Sequence, residues 1–301
     1  MGGRWFNLAV VVLWLATMTW LLKEKVLPPL LIGEPPSYRT ILAARRTEPP
    51  VGWRLALDGR PIGWALSSTE PLPNHLTEIR SRVHFDELPL AELTPGWIGG
   101  FLRLTEYRRA KIRMDTTSKL LIDPLGRLSR FDSSVRIEGV KDVVHIEGNI
   151  EDADLRLSVR AGEFSYETVR SISSDALLGD SFSPQTKLPG LREGQTWTVP
   201  TFSPLGRMDS PLEILHATVE RIEPAAPGGA TWLVVYRSDP GIGLGIGKRP
   251  QGKLWVRRDG TVLRQEVMIF NSRMTFLRMS GEEAAALAEQ VAVEELAGGT
   301  Q

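Results

Sequence analysis

The strongest constraint in this sequence is a period of two in hydrophobicity that runs from Gly52 to about residue 280. In "WRLALDG" the apolar residues Trp53, Leu55 and Leu57 share one face, and in "DLRLSVRAGEFSYETV" the alternation continues on both sides of an Ala-Gly turn. Alternation interrupted by Gly, Asp or Asn turns is typical of antiparallel hairpins, and no helix-rich crossovers separate the strands. The sequence therefore predicts a mainly β fold, an antiparallel meander that forms a large curved sheet or half-barrel.

The same pattern divides the chain into segments. Residues 51–280 are predicted to form the β-domain, with two halves joined through the Ser-, Pro- and Gly-rich stretch 171–196. Ser280 and Glu283 have the spacing of a capping box, and Ala-rich helix formers follow them. Residues 281–301 are therefore predicted to form a short C-terminal helix and tail.

Residues 1–25 are predicted to form a transmembrane anchor. Trp5–Leu22 is a run of 18 residues without a charge, which as a helix spans roughly 27 Å, close to the thickness of a bilayer core. Trp5 and Trp20 lie near its ends, where aromatic rings favour the membrane interface. A cleaved signal peptide and a buried core helix are the alternatives, although no Ala-x-Ala cleavage site is present. The lipid bilayer is thus an expected partner through Trp5–Leu22.

Residues 26–50 are predicted to form a proline-rich linker. Proline lacks a backbone N–H and holds its predecessor in extended conformations, so the six prolines of this stretch disfavour a helix. The alternative is a segment packed along the surface of the domain through Tyr38, Ile41 and Leu42.

The stretch that most resembles a nucleotide motif is "DPGIGLGIGKRP". A Walker loop requires glycine and a hydroxyl where this chain has Ile242 and Arg249, and the dinucleotide fingerprint G-x-G-x-x-G fails as well. Strands flank the stretch, so no helix N-terminus follows to bind a phosphate. We therefore expect no nucleotide and no cofactor, and we predict a flexible hairpin loop that is a candidate ligand or partner loop. Its residues are Gly241, Ile242, Gly243, Leu244, Gly245, Ile246 and Gly247.

Other chemical signals are weak. The chain has no cysteine, and its 36 Lys plus Arg balance 36 Asp plus Glu, which gives no electrostatic case for nucleic acid. The acidic stretch "EGNIEDAD" lacks the calcium-loop pattern, and no G-x-S-x-G nucleophile elbow occurs. The four histidines have no helical ligand spacing; they are His75, His84, His145 and His216. We therefore expect no metal site and no catalytic residue.

Four segments resemble the β-rich N-terminal region of exported bacterial proteins that carry a transglutaminase-like domain. They are "GWRLALDGRPIGWALS", "LPGLREGQTWTVPTFSPLG", "GKLWVRRDGTVLRQEV" and "TFLRMSGEEAAALA". In that family a catalytic domain with a Cys nucleophile follows, and this chain contains no Cys, so the resemblance implies no transglutaminase or protease activity. It does imply an extracytoplasmic domain on the periplasmic side of the inner membrane. A looser similarity is to periplasmic carriers of the lipoprotein-carrier type, whose half-open barrels bind acyl chains.

These observations favour a non-catalytic, membrane-anchored extracytoplasmic β-domain with a binding or scaffolding role in the cell envelope. Its expected partner besides the bilayer is an envelope protein or a lipid. One alternative is a lipid or lipoprotein carrier or chaperone with an apolar groove. The other is an enzyme whose active-site residues are scattered along the chain.

Overall fold

The computed structural model describes residues 2–23, 35–45, 49–88, 112–138, 140–162, 164–173, 176–202, 212–225, 229–238, 250–269 and 272–298. These residues form three α-helices: α1 (Gly2–Leu21), α2 (Tyr38–Arg45) and α3 (Gly281–Gly298). The first half of the sheet consists of β1 (Val51–Leu57), β2 (Arg60–Pro71), β3 (Thr77–Leu88), β4 (Ile112–Ile122), β5 (Leu128–Ile137), β6 (Val140–Glu151), β7 (Asp154–Ala161) and β8 (Phe164–Ser171). The second half consists of β9 (Gly179–Asp180), β10 (Thr196–Phe202), β11 (Leu212–Ala225), β12 (Gly229–Ser238), β13 (Pro250–Arg257), β14 (Val262–Ile269) and β15 (Ser272–Arg278).

All fifteen strands belong to one sheet, in the order β8-β7-β6-β5-β4-β3-β2-β1-β15-β14-β13-β12-β11-β10-β9. Each half is a meander of antiparallel neighbours, except that β9 and β10 run parallel. The halves meet where β1 pairs with β15, with Trp53 opposite Arg278 and Leu57 opposite Met274. The predicted mainly β meander is therefore confirmed, and the single parallel pair makes the sheet mixed.

Strict alternation of side-chain burial explains why these segments are strands. In β1, Trp53 and Leu55 are buried, whereas Arg54 between them is exposed. After β1 the chain reverses at Asp58 and Gly59, where φ is 47° and 85°, and such positive φ values suit a tight hairpin turn. The local pattern therefore determines both the strand and the place where it ends.

The alternation also predicts substantial burial of Trp197, Trp232 and Trp255. Trp197 is buried, whereas Trp232 and Trp255 are half-buried. In β13, Leu254 and its i+2 neighbour face the core, so Trp255 points to the other face of the sheet. There the Arg264 guanidinium lies 4.7 Å from the centre of its ring. Substantial burial is therefore confirmed for Trp197, and its place on the outer face of the sheet explains why Trp255 is only half-buried.

Side chains of the first half contact the second half across the interior. The ring of Phe131 in β5 stacks on Phe202 in β10, with centres 4.9 Å apart. In β4 the Ser118 hydroxyl donates a hydrogen bond to the Asp180 carboxylate in β9. Gly148 in β6 leaves room for Phe131, because a Cβ at this position would lie 1.9 Å from its Cε1. The hydrophobic core therefore lies between the two halves of the same sheet.

Residues 176–195, here called the inner connector, precede β10 and include β9. Leu177, Phe182 and Leu188 of this segment are buried in the core, so the inner connector runs inside the sheet. Each buried backbone N–H without a partner costs about 1–3 kcal/mol. Side chains and backbone from three elements accept these hydrogen bonds: Leu178 N–H binds Tyr38 Oη, Gln185 N–H binds Gln265 Oε1, and Leu188 N–H binds Gly260 O, at 2.7–3.0 Å.

The predicted proline-rich linker contains helix α2. Pro35 and Pro36 precede the helix, where a missing N–H costs nothing. Ser37 caps the helix: its Oγ accepts a hydrogen bond from Thr40 N–H at 3.4 Å, and its N–H donates to Thr40 Oγ1 at 3.1 Å. Tyr38 and Ile41 of α2 are buried in the core. Residues 35–45 are therefore a packed segment and not a free spacer, as in the alternative prediction. Residues 24–34 and 46–48 lie outside the described part of the chain.

Helix α1 has no apolar side chain that is covered by the β-sheet. Trp5, Leu13 and Trp20 are exposed by 76%, 68% and 65%. The transmembrane helix predicted over residues 1–25 is not found: in the part of the chain that the structure describes, no helix is both long and apolar enough to cross a membrane.

Helix α3 begins with the predicted capping box. Glu283 N–H donates to Ser280 Oγ at 3.3 Å, and Ser280 N–H donates to Glu283 Oε2 at 3.0 Å. The Glu283 carboxylate also pairs with Arg54 of β1, and Ala284 and Val291 are buried. The capping box is therefore confirmed, and it fixes the start of α3 against the first strands.

We expect Gly148→Ala to destabilise the fold by about 1–3 kcal/mol, because the added methyl group displaces the Phe131 ring from its contact with the second half. Urea unfolding of the full chain in detergent measures this change. The control is Gly281→Ala, whose Cβ would meet no atom within 4 Å and which we expect to change stability by less than about 0.5 kcal/mol. Equal effects of the two substitutions would contradict this packing.

Candidate functional site

A cavity of about 170 Å³ lies between the two halves of the sheet. It is bordered by β2, β3 and β4 of the first half, by β10 to β14 of the second half, by α2 and by the inner connector. An engineered protein cavity of about 150 Å³ is large enough to bind benzene. The cavity therefore has room for a small organic group.

Four serines, here called the serine row, cross the first half in register. Ser67 lies opposite Ser81, Ser81 opposite Ser118, and Ser118 opposite Ser133, on strands β2 to β5. None is more than 5% exposed. The hydroxyl oxygens of Ser118 and Ser133 are 3.1 Å apart, and those of Ser67 and Ser81 are 3.5 Å apart. Because directly opposite residues share a face of the sheet, the serine row forms a polar stripe on the inner wall.

Asp180 of the inner connector meets this stripe. Its Oδ2 accepts hydrogen bonds from Ser118 Oγ at 2.5 Å and Ser183 Oγ at 2.6 Å, and its Oδ1 accepts one from Phe182 N–H at 2.9 Å. Burial raises the pKa of the Asp180 carboxyl above its ordinary value, and the three hydrogen bonds offset only part of that rise. Asp180 therefore keeps its proton to a higher pH than an exposed aspartate does.

The rest of the cavity wall is mostly apolar. Ile79, Leu120, Leu177 and Leu254 border it, and so does the ring of Tyr236. Burial raises the pKa of Tyr236, and no hydrogen bond to its hydroxyl occurs within the described residues. The cavity thus has one polar end, at Asp180 and the serine row, and a larger apolar surface.

Within the described residues, two acidic side chains border this cavity. They are Asp180 and Glu213, whose carboxylate accepts a hydrogen bond from Ser238 Oγ at 2.7 Å. Among the residues that the structure describes, no lysine, arginine or histidine borders the cavity. The local electrostatic potential therefore disfavours an anionic ligand.

The glycine-rich loop that the sequence predicts as a ligand or partner loop, Gly241–Gly247, lies outside the described residues. Its flanking strands, β12 and β13, pair antiparallel, with Arg237 opposite Pro250. The prediction for the loop itself stays a prediction.

One histidine lies beside two carboxylates on strands β5 and β6. Potential ligand atoms of Asp132, His145 and Glu147 all lie within 4.8 Å of one another, because Asp132 pairs directly with Glu147 across the strands. A search for helical ligand spacing misses this arrangement. Arg130 and Arg160 also pair with Glu147, so a metal ion would compete with two guanidinium groups for this carboxylate.

No protein-family model matches this chain, and no curated protein matches it. Two solved structures are similar. One is a β-barrel-like protein of domain of unknown function DUF1849 from Brucella abortus, with 11% identity and a TM-score of 0.47 over 77% of this chain and 95% of that one. The other is a DUF1089 family protein from Pseudomonas aeruginosa, with 13% identity and a TM-score of 0.33 over 66% of this chain and 87% of that one. Both TM-scores lie below 0.5, so neither likeness indicates a function. The resemblance to transglutaminase-like proteins stays a prediction.

We expect Asp180→Asn to change how stability depends on pH. Because the folded-state pKa of Asp180 is raised, its contribution is fully present below the unfolded pKa of about 3.9 and is lost as pH rises through the folded pKa. The variant should therefore gain stability relative to the original chain as pH rises above about 4, as measured by urea unfolding.

Asp259→Asn is the control, because we expect it to change the pH dependence of stability in the opposite direction to Asp180→Asn. Burial opposes the shift, but the hydrogen bond from Thr261 N–H lowers the pKa of Asp259. The original chain should therefore gain stability relative to this variant as pH rises through the acid range. Parallel pH profiles for the two variants would show that burial does not raise the pKa of Asp180.

Proposed function

We propose that this chain is a non-catalytic binding domain of the cell envelope, which holds a small amphipathic ligand in the cavity between the two halves of a curved, half-barrel sheet. The observation that carries the proposal is the division of the cavity into a polar end and an apolar wall. Binding sites for small molecules are typically apolar with a few convergent polar groups. An extracytoplasmic location follows from the resemblance to exported transglutaminase-like proteins.

The arrangement favours binding over catalysis. A serine nucleophile needs a base that accepts its proton and a third group that orients the base. Asp180 accepts hydrogen bonds from both Ser118 and Ser183, but no histidine borders the cavity in the described part of the chain. The serines and Asp180 support the inner connector, which is a structural reason for their presence.

A lipid carrier is the second candidate function. The apolar wall formed by Ile79, Leu120, Leu177 and Leu254 supports it, because such a surface can accept an acyl chain. In this version the polar end of the cavity contacts the headgroup of the lipid, and the domain transfers the molecule instead of keeping it.

We further propose that α1 holds the domain at a membrane. Its exposed apolar side chains, among them Phe6, Leu13 and Trp14, form a continuous surface of the kind that contacts lipid or protein. Trp5 and Trp20 lie near its two ends, where indole rings favour a membrane interface.

Two adjacent leucines test the ligand cavity. Leu120→Trp fills the cavity that this residue borders, whereas Leu121→Trp enlarges a side chain on the opposite face of the same strand. We expect native mass spectrometry of the full chain purified from cells to show a stoichiometric small-molecule adduct. Leu121→Trp should keep the adduct and Leu120→Trp should lose it. No adduct on the original chain, or the same adduct on both variants, would overturn the binding function.

A pair of charge substitutions tests the membrane role. We expect the full chain to sediment with membranes and to resist carbonate extraction, and the double substitution Val11→Lys and Leu15→Lys to release it, because each buried lysine costs about 2.5–3.5 kcal/mol in a bilayer. Val293→Lys, at an exposed site on α3, is the control and should change nothing. Release of the original chain by carbonate, or recovery of a chain that begins after residue 20, would contradict the anchor.

A further inference from the structure

The hydroxyl donors at the polar end of the cavity are already engaged. A serine hydroxyl has one donor and two acceptor sites. Ser118 and Ser183 both donate to Asp180, so Ser133 is the donor in its contact with Ser118. Thr201, which also borders the cavity, donates to Val199 O at 3.3 Å. The hydroxyls of Ser118, Ser183 and Thr201 can therefore only accept hydrogen bonds from a ligand.

The Asp180 carboxylate lies among these hydroxyl oxygens. Its Oδ2 accepts hydrogen bonds from Ser118 and Ser183, its Oδ1 accepts one from Phe182 N–H, and the Ser183 backbone N–H also interacts with it. An ionised carboxylate accepts hydrogen bonds and donates none. Asp180 and the oxygens of Ser118, Ser183 and Thr201 thus form a cluster of acceptors at one end of the cavity.

We propose that the cavity selects ligands whose polar end is a primary ammonium group, bound by Asp180 and the neighbouring hydroxyl oxygens, with an apolar chain against Ile79 and Leu120. An ammonium group has three donors and no acceptor, which complements a set of acceptors. The inference rests on the proposed binding function and adds the chemical class of the ligand.

Charge favours this class over a fatty acid. A carboxylate headgroup would lie beside Asp180, with Glu213 at the same cavity and no basic residue bordering it in the described chain. Like charges at short distance disfavour the ionised form of both groups. An ammonium group instead has the charge opposite to that of the Asp180 carboxylate, and an opposite charge at short distance favours the ionised form of both groups.

Three probes of equal chain length separate the possibilities: hexylammonium, hexanoate and hexan-1-ol. Each is titrated by calorimetry into the full chain in phosphatidylcholine nanodiscs, and the signal of empty nanodiscs is subtracted. We expect hexylammonium to bind roughly tenfold or more tightly than the other two, since a hydrogen bond to a charged group is stronger than one between neutral groups. Leu120→Trp should abolish binding of all three.

Two substitutions locate the headgroup. Asp180→Asn should weaken hexylammonium by roughly tenfold and change hexan-1-ol by less than about threefold, and Ser183→Ala, on the half-buried inner connector, should weaken hexylammonium by a smaller factor. Asp259→Asn is the control, because this carboxylate lies outside the cavity and should leave all three affinities unchanged.

The ammonium assignment would be overturned if hexanoate or hexan-1-ol bound as tightly as hexylammonium, and the binding function would then remain intact. This comparison uses the original chain and does not require any variant to fold. Unchanged hexylammonium affinity in both Asp180→Asn and Ser183→Ala would overturn the position of the headgroup. Absence of binding by all three probes, together with no cell-derived adduct, would overturn the binding function itself.

Discussion

The inner connector imposes the constraint on which the rest of the structure depends. A segment that passes between the halves of a sheet carries backbone polar groups into an apolar interior, where each needs a hydrogen bond. The walls therefore must supply polar side chains at defined positions. Tyr38 of α2 and Gln265 of β14 do so, and Ser118 of the serine row donates to Asp180 of the connector. The positions of the polar wall residues and the path of the inner connector consequently depend on each other.

The same requirement produces the candidate site. Serines are smaller than the aliphatic residues that fill most of the core, so a stripe of them beside the connector leaves space as well as polarity. The cavity lies where these groups meet the apolar residues of the second half, such as Leu254. The side chains that support the connector are therefore the ones that we propose to contact the ligand.

The sequence predicts what depends on neighbouring residues. Alternation identifies the strands, and the spacing of Ser280 and Glu283 identifies the start of α3. The cavity depends instead on contacts between distant residues, since Ser118 and Asp180 are 62 positions apart. The alternation of apolar and polar residues does not assign serine to the inner or the outer face of the sheet. The alignment of the serine row therefore cannot be recognised before the pairing of the strands is known. Helix α2 was missed because the prolines that disfavour it lie just outside its ends.

The pairing of β1 with β15 has a consequence for how the molecule folds. Each half contains mainly contacts between consecutive strands, which form quickly because little chain must be closed into a loop. Trp53 and Arg278, in contrast, are 225 positions apart, so we expect their pairing to form last and to complete the enclosure of the connector. Hydrogen exchange during refolding would report it as late protection of β1 and β15. Until that step, both strands expose an apolar face and an unpaired edge to other chains, and aggregation competes with folding at this point.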